Sequence, residues 1–526
     1  MEKWSVISHY REVLKNEDGY VLKNGGLRVA LVYPNCYEIA SQNLGFQEVY
    51  KFLNSLGGIV CERFVLDFYD DNLSIETQRF LKEFSIIFVS INYEEDVLNF
   101  IRFLKSQKLE PFADKRTEYD PLIIAGGALT FVNPSLMLPV ADFQLCGDLK
   151  PMKPDIEKFL GSYKDKKDAS KFLKNLEYSI YQNLERKARV VRSDSDVPII
   201  SSIKTTKSDF AGETLVELSC GCKYRCRFCS ASHIYTPFRV MNYSYLKEQL
   251  KYNPLSKNYG IISATFCDLP NIGSLLDEMQ EHGCNVSVSS LRADSLSIEL
   301  IKKLKKCGVR SLTIAEETVS PRLKLLIGKN IKGEIILKAI ENIAKEGIEN
   351  LKLYYMIGLP GESLDEVKMI VKRIEEIGRI FVKTQSQTFN RLGRIKVSIN
   401  IFIPKPFTPM QYFGIEDKKT LQEKIQILNK GLKPIPNLSF SIMSYNTSYL
   451  QATLSRGGKN IKEFYTEFLK EYNWKSAIKR YKSDAHVTYE PSHSFYWEEL
   501  LLPNFDISLL KRGYLKILRI LEEEPC

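Results

Sequence analysis

The 526-residue sequence lacks any uninterrupted apolar run of about 18 residues, so no segment reads as a membrane-crossing helix. Its start, MEKWSVISHYREVLKNEDGY, has no apolar core of the kind a signal peptide needs. No internal repeat of 20–50 residues is present, nor any low-complexity tract. Strong charge of either sign is missing too: 74 lysines and arginines face 64 aspartates and glutamates, a net +10. That balance permits RNA or another anionic partner without requiring one, and basic residues interleaved with acids read first as a solvated surface. These absences leave a cytoplasmic chain of ordinary globular composition, 44% hydrophobic and 26% charged. The length suits roughly three domains of ~150 residues.

Cysteine, by contrast, is concentrated. Four of the 11 cysteines fall within CGCKYRCRFC, residues 220–229, and the other seven are scattered with no paired spacing. In a reducing compartment, clustered thiols point to metal binding or catalysis before disulfides. The scattered ones read as small core hydrophobes. Cys222, Cys226 and Cys229 form C-x3-C-x2-C just after a predicted strand over 213–219. Such a loop can wrap three thiolates around one iron–sulfur cluster and leave its fourth iron open. The competing reading is structural zinc, which prefers four ligands in two separated knuckles. No second knuckle exists here, so a fourth ligand would have to be Cys220 or His233. Alternation at a strand end sends residues two apart to one side, which keeps Cys220 in play. His233 reads as a polar support more readily than as a ligand.

Short apolar runs at 27–33, 59–66, 84–91, 122–127 and 141–147 alternate with helical stretches. They predict a doubly wound parallel sheet of flavodoxin-like (Rossmann-like) type over 1–150, with its ligand site at the strands' carboxyl ends. Residues 151–205, lysine-rich and then irregular, read as a helical connection. From 206 to 410 the alternation resumes, with strands predicted at 213–219, 260–266, 285–291, 309–315, 350–358 and 396–403. Helices fall between them at 243–252, 271–283, 297–307, 332–347 and 363–379, and another follows at 418–431. Repeated β/α units predict a partial (β/α)6 TIM-type barrel with reactive groups at the carboxyl ends of its strands. Residues 411–526 read as a small mixed C-terminal accessory region. The fold class is therefore α/β.

At the cysteine loop the sequence resembles the radical SAM superfamily, whose signature is C-x3-C-x2-C with an aromatic residue before the last cysteine, here Phe228. TIAEETVSPRLKLLIGKN (313–330) resembles the segment that lies near the ribose, which carries over to Glu317 and Thr318. LKLYYMIGLPGES (351–363) resembles the stretch that approaches the adenine, which carries over to Gly358, Pro360 and Gly361. SVSSLRADSLS (287–297) and VSINIFIPKPFTPMQ (397–411) fit a subgroup with a cobalamin-binding-like N-terminal domain. So do YPNCYEIASQNLG (33–45), LIIAGGALTFVNP (122–134), LSRGGKNI (454–461) and WEELLLPNFDISLLKRGY (497–514). Two departures stand out. The usual G-G-E turn after the second barrel strand is replaced by TFCDLPNIG (265–273), where Asp268 is either its substitute or an ordinary turn residue. No histidine follows the first strand, and only His9 precedes His233, which argues against a histidine-ligated cobalamin. Cobalamin bound without a protein imidazole stays open, because Gly126 and Gly127 end a strand where a cofactor tail can pass closely. The alternative is a domain that keeps the fold without the cofactor.

The resemblance implies a 4Fe–4S cluster on Cys222, Cys226 and Cys229, with S-adenosylmethionine chelated to the open iron. Its reductive cleavage gives a 5′-deoxyadenosyl radical that abstracts hydrogen from an unidentified substrate, with methyl transfer as one outcome. A one-electron reductant such as flavodoxin or ferredoxin is implied as partner. Two alternatives remain at this level: an RNA-modifying enzyme that uses 411–526 to hold RNA, and a non-catalytic iron–sulfur or zinc scaffold. Arg225, Arg227 and Arg239 read as surface residues, or else as charges that tune the cluster. Arg292 and Asp294 read equally as a cavity-facing pair or a surface ion pair. Tyr354 and Tyr355 are adjacent in a strand, so one points inward, and packing is the expected role of both.

Overall fold

The computed structural model describes residues 3–68, 72–207, 212–252 and 256–523. The first sheet is built from β1 (Leu27–Val32), β2 (Ile59–Phe64), β3 (Ile86–Ser90), β4 (Leu122–Gly126), β5 (Phe143–Leu145) and β6 (Ser179–Ile180). Its order is β2-β1-β3-β4-β5-β6, parallel except for the β6 edge. This is the flavodoxin-like order expected from the alternating runs. The strands are apolar nearly throughout because both faces are covered.

One face carries the helix Leu44–Ser55 together with two helices from the lysine-rich stretch, Leu149–Gly161 and Lys166–Lys174. Met152, Ile156, Phe159 and Leu173 of that stretch lie in the same core as Val29, Leu31 and Ile124. Its lysines mark the solvent side of amphipathic helices, and the sparse apolar positions supply the packing. The opposite face is covered by the helix Asp96–Ser106 and by segments from the far end of the chain. Leu450, Leu454, Phe464 and Tyr465 share a core there with Val89, Phe100 and Ile123. The Asn133 amide donates to Ser455 O at 3.0 Å and to Gly457 O at 3.1 Å, which fixes this docking. Part of 411–526, offered above as an RNA module, is thus core of the first domain.

The second sheet begins with β7 (Thr214–Glu217), β8 (Asn258–Ile262) and β9 (Asn285–Val288). It continues through a single parallel bridge, Leu291 to Ile314, into β10 (Ser311–Glu317), β11 (Asn350–Ile357), β12 (Arg394–Ile401) and β13 (Leu438–Ile442). All neighbours are parallel. The helices between the strands pack on one face, forming one core from Val216 to Leu432. The result is an open β/α barrel. The six predicted strands are all present, and a seventh, β13, extends the sheet beyond them. Its sequence LSFSI is only five residues long, two of them serine, too short an alternation to stand out. Among the described residues, no helix is long and apolar enough to cross a membrane.

Candidate active site

β7 feeds a tight loop at the barrel's carboxyl end. Ser219–Cys220 pairs antiparallel with Arg239–Val240, so the loop 221–238 folds back on itself. Gly221 makes this return feasible: its φ is +80°, and a Cβ there would stand 2.4 Å from Tyr235 O. Within the loop, the Cys229 N–H donates to Cys226 O at 3.2 Å and the Ser232 hydroxyl to Cys229 O at 2.8 Å.

Cys226 is buried, and Cys222 and Cys229 are half-buried. Burial pushes the Cys226 thiol up to about 11; Lys329 and Arg292 pull it down, while Cys229 and Glu317 push it up. The Cys222 thiol is raised mainly by burial, opposed by the Tyr224 N–H and reinforced by Cys229. Cys229 and Arg292 thus act on both Cys222 and Cys226. Cys220 has other neighbours. Burial raises it as well, but Glu217, Arg239 and Asp148 surround it. Among the described residues, no three Cys, His, Asp or Glu side chains stand close enough to hold a single metal ion. A zinc ion needs all its sulfurs about 2.3 Å from one point, whereas a multi-iron cluster spreads its ligands more widely. Three thiols beside two cations form a donor set that fits an anionic iron–sulfur cluster.

The arginines of the loop are not equivalent. Arg225 is exposed. Arg227 is half-buried, and its guanidinium donates to Leu325 O at 2.7 Å and Leu326 O at 2.8 Å. Its backbone N–H donates to Ile327 O at 2.8 Å. These are carbonyls of the last turn of the helix Pro321–Ile327, where Leu325 O also accepts the Gly328 N–H at 3.2 Å. The surface reading of Arg227 is corrected accordingly: it clamps the loop to that helix. Arg239 pairs with Asp148 at 2.8 Å and is likewise not a free surface charge.

Asp268 accepts the Tyr224 hydroxyl at 3.1 Å and pairs with Lys223 at 3.0 Å, bracing the loop against the end of β8. Arg292 lies over the Tyr224 ring, 3.6 Å from its centroid, and pairs with Asp294 at 2.7 Å. The ion pair is one of the two expected roles, and the guanidinium also covers a ring of the cysteine loop. His233 is buried, with its basicity pushed down to about 4 by burial and by Arg225, and a backbone bond to Cys226 opposing. Its Nε2 is buried and has no hydrogen-bond partner among the described residues.

Across the barrel mouth, β10 ends in a bulge at Glu317, which has φ +68°. The turn directs Glu317 to Lys329, 2.9 Å away, and leaves Glu316 on the helix side with Lys324 at 2.7 Å and the Tyr355 hydroxyl at 2.9 Å. Thr318 is fully buried, and among the described residues its hydroxyl has no hydrogen-bond partner. Gly358 and Gly361 have φ of +74° and +70°, with half-buried Pro360 between them. The Gly358 N–H donates to Glu362 at 2.7 Å, and Glu362 pairs with Lys424 at 3.0 Å in full burial. Phe228 is half-buried against the core that holds Leu323 and Ile327. Sequence reasoning missed Lys329, Glu362 and Lys424. Glu362 lay inside the quoted stretch 351–363, whereas Lys424 sits mid-helix with no local signal.

The carboxyl ends of the two sheets meet. Glu94, just past β3, pairs with Lys405, just past β12, at 2.5 Å. Gly127 has φ +96°, and a Cβ would stand 2.5 Å from Ile91 O, so its glycine serves the backbone turn. Gly126 is different: a Cβ there meets nothing within 4 Å. Tyr93, just past β3, is 41% exposed. Asp96 is buried, accepts the Asn35 amide at 2.9 Å, and is pushed up to about 7 mainly by burial.

Comparisons place this arrangement among known proteins. The family profile described as "Radical SAM proteins, N-terminal" matches residues 45–181, and "Radical SAM superfamily" matches 216–374. The first match ends at the edge strand β6. An uncharacterised protein of Methanocaldococcus jannaschii is 27% identical over 452 residues, 83% of this chain and 90% of that protein. An uncharacterised methyltransferase of Pyrococcus horikoshii is 26% identical over 194 residues, 35% of this chain and 42% of that one. Among solved structures, the radical S-adenosylmethionine methyltransferase TsrM of Kitasatospora setae, with cobalamin and a 4Fe–4S cluster bound, aligns with a TM-score of 0.50. It is 13% identical and covers 74% of each chain, a likeness of fold.

Proposed function

Since the chain belongs to the radical SAM superfamily, we propose an enzyme in which Cys222, Cys226 and Cys229 hold a 4Fe–4S cluster beside bound S-adenosylmethionine. One observation carries this assignment: Cys222, Cys226 and Cys229 share the tight loop 221–238 at the barrel's carboxyl end, whereas Cys220 lies outside it, paired with Arg239 in the ladder that closes the loop. When bound, the cluster supplies one electron to S-adenosylmethionine, yielding a 5′-deoxyadenosyl radical for hydrogen abstraction. The chain's own groups do the holding. Lys329 and Arg292 offset negative charge at the thiols. Thr318 offers an unspent buried hydroxyl for the ribose, with Glu317 beside it on Lys329. The left-handed turns at Gly358 and Gly361, either side of Pro360, present backbone to the adenine, and the buried Glu362–Lys424 pair keeps that turn in place. Phe228 packs the loop from beneath.

Methyl transfer with cobalamin is the reaction outcome we favour. The fold shared with TsrM supports it, as does the apposition of both sheets' carboxyl ends at Glu94 and Lys405. The open space over Gly126 suits a cofactor tail, and Gly127 turns the chain away from it. The electron donor would be a flavodoxin- or ferredoxin-like protein, and the setting cytoplasmic.

The test is anaerobic reconstitution with iron and sulfide, then reductant and S-adenosylmethionine, with 5′-deoxyadenosine as the readout. Cys226→Ser should lose iron and product, whereas Cys220→Ser should keep both. Zinc in the site and no 5′-deoxyadenosine would sink the assignment. Titrating cobalamin into the same sample and following its absorbance tests the first domain separately.

A further inference from the structure

The uncovered face of the second sheet carries charge of one sign at its centre. Along β10 to β13 the side chains alternate. Leu312, Leu353 and Val397 enter the helix-covered core, with Phe440 packed against it, so their neighbours point into the open barrel. Register sets Thr313 beside Lys352, Lys352 beside Lys396, and Lys396 beside Ser439. The next row toward the mouth is Ala315, Tyr354, Ser398 and Ser441. Tyr354 is 37% exposed in the middle of a strand, so no layer covers this face.

Lys352 and Lys396 are both exposed, and among the described residues neither has an ion-pair partner. Like charges directly opposite on neighbouring strands repel. Other lysines near this sheet meet carboxylates: Lys324 meets Glu316, Lys329 meets Glu317, and Lys424 meets Glu362. Their neighbours in register are each other, Thr313 and Ser439, and neither row across β10 to β13 contains a carboxylate. On the same face, one row below, the buried Ser311 hydroxyl has no partner among the described residues.

We propose that Lys352 and Lys396 form the anion subsite of this barrel's substrate, a small molecule bearing a carboxylate or phosphate. Tyr354 and the hydroxyls of Ser398, Ser439 and Ser441 would line its uncharged part. Strand rise sets a length. From Lys352 to Met356, the last position on this face of β11, is ~13 Å at about 3.3 Å per residue. The cysteine loop lies at that carboxyl end, so an anion held by the lysines stands ~13 Å along the strand from the level of the loop. The inference rests on the barrel being the reaction chamber proposed above.

Pyridoxal 5′-phosphate, an anionic aldehyde, tests it. The aldehyde condenses with a lysine amine with loss of water, and borohydride reduces the imine to a stable secondary amine. The full chain, without cluster or S-adenosylmethionine, is treated at limiting reagent, reduced, digested and mapped by mass spectrometry. Lys352 or Lys396 should carry roughly tenfold more label than exposed Lys383 on the helix Leu364–Phe389, the gain expected where paired cations concentrate an anion. Inorganic phosphate, glutarate or both should suppress that excess, and the more effective one identifies the anion class. Lys396→Gln should lower the label on Lys352 and leave Lys383 unchanged. Equal labelling at all three lysines, or an excess that neither anion suppresses, overturns the proposal. Because the labelling needs no S-adenosylmethionine, a failure to form 5′-deoxyadenosine would count against the function above and leave this result standing.

Discussion

Burial sets the pH response of three carboxyls. Asp96, Glu217 and Glu362 are each pushed up to about 7, burial being the main cause in every case. In the unfolded chain they titrate near pH 4. The folded state thus holds these protons longer, so their contribution is complete below about pH 4 and is lost as pH rises to about 7. Asp96→Asn should flatten that decline relative to the parent chain by up to ~1.4 kcal/mol per pH unit. Urea unfolding at pH 5, 6 and 7 measures it, and parallel curves for parent and variant would contradict the assignment. Glu362 adds a second test. Lys424→Met leaves the Glu362 carboxyl buried without its cation, and breaking a buried pair costs ~3–5 kcal/mol. The same unfolding experiment reads the loss. Glu362 stood in a legible sequence pattern, but its partner, 62 residues on, did not. A pair that distant is joined by packing, which no local pattern encodes.

At the scale of elements, the cysteine loop is positioned more than it is self-supporting. Arg227 ties it to the last carbonyls of the helix Pro321–Ile327, and Asp268 ties it to the end of β8 through Tyr224 and Lys223. Arg227→Met removes two charge-assisted bonds, for a loss of about 3 kcal/mol. Iron retention after reconstitution should fall with it. Unchanged iron content alongside normal stability would show that the clamp is dispensable. The 26-residue helix Leu364–Phe389 starts at a capping box in which the Ser363 hydroxyl accepts from the Glu366 N–H. Ser363→Ala should cost ~1 kcal/mol in thermal or urea unfolding. That box is visible as S-L-D-E in the sequence, as are the six barrel strands and the helices that follow them, but the helix Pro321–Ile327 that anchors the cysteine loop is not. Periodicity reveals elements well when one face is buried. It fails for β13, whose serines face an open barrel, and it undersells the helices at 149–174, whose lysines dominate the composition.

Over the whole molecule, the chain closes on itself. Residues 445–480 cover one face of the first sheet, and β13 completes the second. A chain ending at 410 would expose Ile87, Val89 and Phe100 to water and leave β12 as a bare edge. Size-exclusion chromatography and thermal melting should therefore show aggregation and no cooperative transition. A monodisperse, cooperatively melting fragment would contradict this.

The sequence by itself determined the two alternating β/α sheets, the first sheet's doubly wound character, and the loop on which three thiols stand near together. Each is a local pattern, of period two, of period 3.6, or of fixed spacing, and local patterns survive without neighbours. Only the tertiary structure decided which surfaces those elements share. It gave Cys220 to Arg239, made Arg227 a clamp, turned part of the C-terminal region into core of the first domain, and set Lys352 opposite Lys396. Those outcomes depend on residues tens to hundreds of positions apart. Burial and charge bring them together once the chain has folded, and the order of residues along the chain does not record it.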